Sequence, residues 1–170
     1  MSNAHSTEVS RDIVFRAPFA DVIKNNSTGQ QQLSASKSFA AGEVICDFGA
    51  GEITDTATYL TVQLGVDRHI TLKPEFLQYI NHGCDPNLFF DTTTMKLVAL
   101  KPIAAGDEFR FFYPSTEWEM AQPFLCQCGA ANCLQLIQGA SFLSTETLSQ
   151  YRLTDFIQQQ LLQKVKTATV

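Results

Sequence analysis

The chain has 170 residues, 12 basic and 17 acidic, for a formal net charge of −5. At 45% hydrophobic and 17% charged it is neither a disordered nor a collagen-like sequence, and its length is that of one domain with at most a small appendage. It has no Lys/Arg run suited to a nucleic-acid backbone and no apolar stretch near the roughly 20 residues of a membrane helix, so neither is an expected partner. Met1-Ser2-Asn3-Ala4-His5-Ser6 lacks the charged-then-apolar layout of an export signal. An intracellular location, cytoplasmic or nuclear, is therefore expected, where thiols stay free. Residues 1–11 read as a disordered tail.

Apolar residues first appear in Ile13-Val14-Phe15 and Ala17-Pro18-Phe19, and the polar tract Asn25 to Gln32 reads as a turn or loop. Two segments echo each other: Phe39-Ala40-Ala41-Gly42-Glu43-Val44-Ile45 and Ile103-Ala104-Ala105-Gly106-Asp107-Glu108-Phe109. Each has a glycine-centred turn leading into β-branched or aromatic residues, which predicts that each opens a strand. Further short strands are expected at His69–Leu72, Leu88–Asp91 and Lys96–Leu100. Leu153, Phe156, Ile157, Leu161 and Val165 recur at three- and four-residue spacing, which predicts an amphipathic C-terminal helix starting near Ser144-Thr145-Glu146. Its apolar face is expected to pack on the body of the domain, a dimer contact being the alternative. The expected architecture is a single, mostly β unit of many short strands with few helices.

Cys126-Gln127-Cys128-Gly129-Ala130-Ala131-Asn132-Cys133 puts three thiols within eight residues. A closed structural zinc site takes four ligands in a tetrahedron, so a fourth must come from Cys46, Cys84 or a distant His. Cys84 is the better candidate because it sits in a turn-forming stretch, Asn81-His82-Gly83-Cys84-Asp85-Pro86-Asn87. Cys46 falls among Val44, Ile45 and Phe48 inside an expected strand, where a free cysteine is a small apolar filler. Such a zinc would clamp the tail to the domain and contribute folding energy. The Asn81–Asn87 stretch itself forms a polar loop behind apolar Leu77, Tyr79 and Ile80, the kind of place where ligand contacts sit on a rigid base.

Asn81-His82-x-Cys84-Asp85-Pro86-Asn87, then Ala105-Gly106-Asp107-Glu108-Phe109-x-Phe111-x-Tyr113, then Cys126-x-Cys128-Gly129-x-x-x-Cys133 together resemble a SET-domain methyltransferase with its post-SET zinc module. Leu33-x-Ala35, Ala41-Gly42-Glu43-Val44-Ile45 and Gly51-Glu52-Ile53-Thr54 resemble earlier parts of the same family, and the likeness covers roughly residues 12 to 140. The resemblance implies a SET-domain fold of several small sheets with a knot-like substructure, a post-SET zinc loop and a C-terminal helix. It divides the chain into a SET domain over 12–120, a post-SET segment over 121–140 and a helical extension over 141–170.

The resemblance also implies roles. Asn81 and His82 would hold S-adenosylmethionine, with Tyr113 and Trp118 beside it, and Tyr113 would place its hydroxyl at the methyl-transfer point. Phe111 would line the substrate channel with Phe48, and a phenyl ring at Phe111 would favour di- or trimethylation. Cys84, Cys126, Cys128 and Cys133 would bind the structural zinc. The implied activity is lysine N-methylation of a protein or peptide. A SET fold repurposed for a small-molecule amine or another small-molecule reaction, and a catalytically silent SET binding module, are the alternatives. Where the family usually has Gly-x-Gly before Leu33, this chain has Gln30-Gln31-Gln32; Gln78 replaces a usual Arg and Gly83 a usual Ser.

Overall fold

The structure is a computed structural model describing residues 10–167. Residues 1–9 of the expected tail lie outside the described residues, whereas Arg11 already belongs to the first strand. Thirteen strands follow: β1 Arg11–Arg16, β2 Ala20–Asn25, β3 Gln31–Ala35, β4 Val44–Asp47, β5 Gly49–Thr54, β6 Thr61–Gly65, β7 Arg68–Lys73, β8 Asn81–His82, β9 Leu88–Asp91, β10 Lys96–Ala99, β11 Arg110–Phe111, β12 Phe124–Leu125 and β13 Leu136–Ile137. Single 3₁₀ turns lie at Glu75–Tyr79, Tyr113–Ser115 and Ala140–Phe142, and two helices close the chain, α1 Thr145–Leu148 and α2 Asp155–Thr167.

The strands form four small sheets, ordered β1-β2-β3, β5-β7-β6, β12-β13 and β4-β10-β9-β11-β8. In the last of these β9 lies inside the sheet and buries Leu88, Phe89 and Phe90, as expected of a strand covered on both faces. β11 runs parallel to both neighbours, setting Arg110 opposite Asn81, and Phe111 opposite His82 and Leu88. Gln31 and Gln32, expected in a loop, instead belong to β3, because pairing with Lys24 and Ile23 of β2 fixes them.

The two echoing segments pair with each other. Phe39 and Ile103 exchange backbone hydrogen bonds of 2.9 and 3.0 Å. Each then makes the same turn: Glu43 Oε2 accepts from Ala40 N–H and Asp107 Oδ2 from Ala104 N–H, with Gly42 and Gly106 at φ +81° and +95°. That left-handed backbone is where glycine is cheapest.

The main core runs from Phe19 through Leu33, Ile70, Leu97 and Phe109 to Phe111. A second cluster around Phe112, Ala140, Leu148 and Ile157 is built by the C-terminal segment. The expected helix from Ser144 is broken in two, because residues 149–154 leave the helical path and Thr154 N–H bonds to Ser115 O. Thr154 Oγ1 then accepts from Ile157 N–H, starting α2 at Asp155. Phe156, Ile157 and Leu161 pack onto the domain as expected, whereas Val165 is 56% exposed. Among the described residues no helix is long and apolar enough to cross a membrane.

Candidate active site and metal centre

Between β8, β11, the start of β3, β6 and the segment 120–128 lies a cavity of about 600 Å³, a volume suited to a cofactor-sized ligand. Asn81, His82, Phe111 and Tyr113 all line it. Asn81 Nδ2 donates to Gln31 O and to Glu108 Oε1, each at 3.1 Å, so the strand end that carries Asn81 is locked to the polar edge of β3.

His82 is buried and bonded through both ring nitrogens. A backbone N–H can only donate, so Tyr113 N–H makes Nδ1 the acceptor at 3.2 Å. Nε2 therefore bears the ring hydrogen and points it at Cys84 Sγ, 3.3 Å away. Burial, and secondarily the Arg110 guanidinium, lowers the imidazole to about 4, leaving it neutral at ordinary pH.

Tyr113 donates its hydroxyl to Ile80 O at 3.3 Å and packs against Phe111, His82 and Phe124, with ring centres 4.7, 5.2 and 5.9 Å away. Burial, reinforced by Glu108 and Glu117 and partly offset by the His82 bond, pushes the phenol up to about 12, so it stays a hydrogen-bond donor.

The four cysteines expected to share a metal come together. Their Sγ atoms all lie within 4.8 Å of one another, and Cys84 to Cys126 is 4.0 Å. A tetrahedral zinc thiolate site with bonds of ~2.3 Å has sulfur edges of about 3.8 Å, so the donor set fits that ion. At Cys128 burial alone would raise the thiol, but backbone hydrogen bonds and the neighbouring Cys126 and Cys133 thiols carry it down to about 6. Metal thiolates require such deprotonated sulfur. Cys84 is held by Leu134 N–H on its sulfur and by Asn132 Nδ2 and the Tyr151 hydroxyl on its carbonyl. Cys46 stands outside the group, raised to about 11 by burial and then by Asp47.

Two expected site residues lie elsewhere. Phe48 packs edge-on against Phe90 at 5.2 Å, which in turn packs on Phe111 at 4.8 Å; it is a ring behind the cavity wall and does not line it. Trp118 turns into the second core, with Lys164 Nζ 6.0 Å from its ring centre, and is likewise absent from the lining.

Sequence reasoning passed over Arg110 and Glu117. Arg110 pairs with Glu108 at 2.7 Å and donates to Cys128 O at 3.1 Å, tying the cysteine loop to the cavity wall. Its stem packs on Gly83, where an added Cβ would lie 3.0 Å from Arg110 Cβ and Cδ, so the bare glycine next to His82 was the available signal.

Residues 30–114 match the SET domain family, half of the chain. The chain belongs to that family. It is 44% identical over 112 residues to Methyltransferase flvH of Aspergillus flavus, covering 65% of this chain and 62% of that protein. It is 35% identical over 77 residues to the Histone-lysine N-methyltransferase Su(var)3-9 of Drosophila pseudoobscura pseudoobscura, covering 35% of this chain and 12% of that protein. The methyltransferase domain of the human Histone-lysine N-methyltransferase SETMAR superposes with a TM-score of 0.48 at 15% identity, covering 78% of this chain and 59% of that one. The chain thus spans less than two thirds of the length of the curated relatives it matches.

Proposed function

We propose that the protein is an S-adenosylmethionine-dependent lysine N-methyltransferase acting on a protein or peptide. The observation that carries this reading is the meeting of Tyr113 with the Asn81–His82 strand on one wall of a cofactor-sized cavity, with the Cys126–Cys128 loop closing its rim. S-adenosylmethionine, when bound, supplies a methyl group on a sulfonium for in-line transfer to a neutral amine. Asn81 and His82 would hold that cofactor, Phe111 would shape the substrate channel, and a zinc on Cys84, Cys126, Cys128 and Cys133 would secure the loop.

The protein's own task is alignment and exclusion of water. The Tyr113 hydroxyl remains protonated and is held by a single carbonyl, so it can orient an amine without taking its proton. Leu72, Leu77 and Ile80 give the cavity an apolar stretch that disfavours a charged ammonium. A neighbouring cavity of about 550 Å³ shares Leu60, Leu72 and Gln78 with the first and carries Glu52 and Glu75 against Lys73, which suits a substrate with basic flanking residues.

A small-molecule amine is the second reading. It is favoured by Gln30 and Gln31, which line the cavity where the family resemblance leads one to expect glycines. Labelled S-adenosylmethionine incubated with peptide arrays, histones and a cell extract tests both. Label on lysine side chains supports the first, label confined to small molecules supports the second, and no label in any fraction counts against both.

A further inference from the structure

The cavity wall beyond Tyr113 holds a carboxylate with one oxygen to spare. Glu117 is 8% exposed and lines the cavity. Its Oε1 is fixed by Gln63 N–H at 2.9 Å and by the Thr116 hydroxyl at 3.0 Å. Its Oε2 takes no hydrogen bond among the described residues. Among the described residues no cation compensates it either: the one such cation lining the cavity, Arg110, is committed to Glu108 at 2.7 Å. A buried carboxylate held this way is costly unless a partner completes it. A cation carrying N–H donors, such as a primary ammonium, would complete it.

We propose that Glu117 receives the ammonium group of the methyl acceptor and takes its proton. Oε2 accepts an N–H hydrogen bond; the N–H bond breaks, the proton forms an O–H bond on Oε2, and the bonding pair stays on nitrogen as the lone pair needed for attack on carbon. The carboxylate becomes a neutral acid and the ammonium a neutral amine, so charge is conserved. This rests on the reading of the cavity as an amine-methylating site.

Burial, opposed by the two bonds to Oε1, raises Glu117 to about 7, in the range where a carboxylate can take and release a proton near neutral pH. The other titratable groups on the surrounding elements are Tyr113 on the same turn, His82 on β8, Glu108 and Arg110 at β11, Tyr59 before β6, and Cys126 and Cys128 of the cysteine loop. His69 stands opposite Gln63 on β7, and Lys164 of α2 lies over Trp118.

The test compares wild type with Glu117→Gln, which keeps the Oε1 acceptor but cannot take a proton, and Glu117→Asp, which keeps the charge on a shorter stem. n-Butylammonium chloride is titrated into each by calorimetry at pH 8, with n-pentanol as a neutral control. The expected result is binding to wild type that weakens about tenfold or more in Glu117→Gln, with n-pentanol unaffected. With a methyl acceptor, kcat should fall on the order of a hundredfold in Glu117→Gln, with loss of the acidic limb of its pH profile near pH 7, while Glu117→Asp keeps the limb. Equal butylammonium binding by wild type and Glu117→Gln, or an unchanged kcat and acidic limb, would overturn the proposal. Glu117-dependent ammonium binding without turnover on any acceptor would support the ammonium site and count against the methyltransferase reading.

Discussion

His82 Nε2 lies 3.3 Å from Cys84 Sγ while its Nδ1 takes the Tyr113 N–H, so a single imidazole joins the cysteine centre to the backbone of the tyrosine in the cavity. An N–H directed at a ligating sulfur orients the ligand and tunes the metal. Here the same ring also fixes where Tyr113 begins its turn. Loss of a zinc held on Cys84 should therefore be felt in the cavity as well as in the tail.

Purified under reducing conditions without chelator, the protein should contain one zinc per chain. Cys128→Ser should release it and lower the melting temperature, because Asn132, Leu134 and Tyr151 anchor the tail to Cys84. Elemental analysis checks this; one tightly held zinc in the variant would contradict the four-sulfur site.

Tyr113→Phe removes the hydroxyl and its 3.3 Å bond to Ile80 O while leaving the ring contacts with Phe111, His82 and Phe124. Stability should change by no more than about 1 kcal/mol. Methyl transfer should fall by about a hundredfold or more, with cofactor affinity nearly intact. Unchanged turnover would remove Tyr113 from the transfer point.

Glu117 makes stability depend on pH with a definite sign. Its folded-state value of about 7 lies above the ordinary 4.5, so its contribution is fully present below about pH 4.5 and is lost as pH rises through 7. The ionised side chain penalises folding by roughly 3 kcal/mol, and Glu117→Gln, which never ionises, escapes that penalty. Thermal melts should show the variant more stable than wild type at pH 8.5 and little different at pH 4.5. A difference independent of pH would contradict the assignment.

Gly139 adopts φ +121° and ψ 171°, and an added Cβ would lie 2.5 Å from Trp118 O. The segment beside it is stitched by Ala140 N–H to Glu117 O, Ser141 N–H to Trp118 O and Met120 N–H to Gln138 O. Gly139→Ala should cost about 3 kcal/mol in denaturant unfolding, from both the backbone conformation and the clash. A cost below about 1 kcal/mol would contradict the close approach.

What could be read from the sequence followed how local the determining physics is. The trio Cys126, Cys128 and Cys133 was legible from spacing alone, and Leu88–Asp91 from its apolar and aromatic run. Cys84, 42 positions before Cys126, could be preferred over Cys46 because turn residues surround it while Cys46 sits in a strand. Gln31 and Gln32 read as loop because polarity argued against a strand until β2 supplied partners. The family resemblance sets Trp118 beside the cofactor, yet its backbone N–H bonds to Gln63 Oε1 and its ring belongs to the second core. Glu117 left no local trace. Its burial depends on Gln63, 54 residues earlier, and nothing in Tyr113-Pro114-Ser115-Thr116-Glu117-Trp118 announces that contact.

Calorimetric titration of S-adenosylmethionine into wild type and Asn81→Ala tests the assignment of the cavity most directly. The account predicts saturable one-to-one binding to wild type, weakened about tenfold or more when the Asn81 bonds to Gln31 and Glu108 are lost. No heat and no thermal shift with wild type at millimolar cofactor would contradict it.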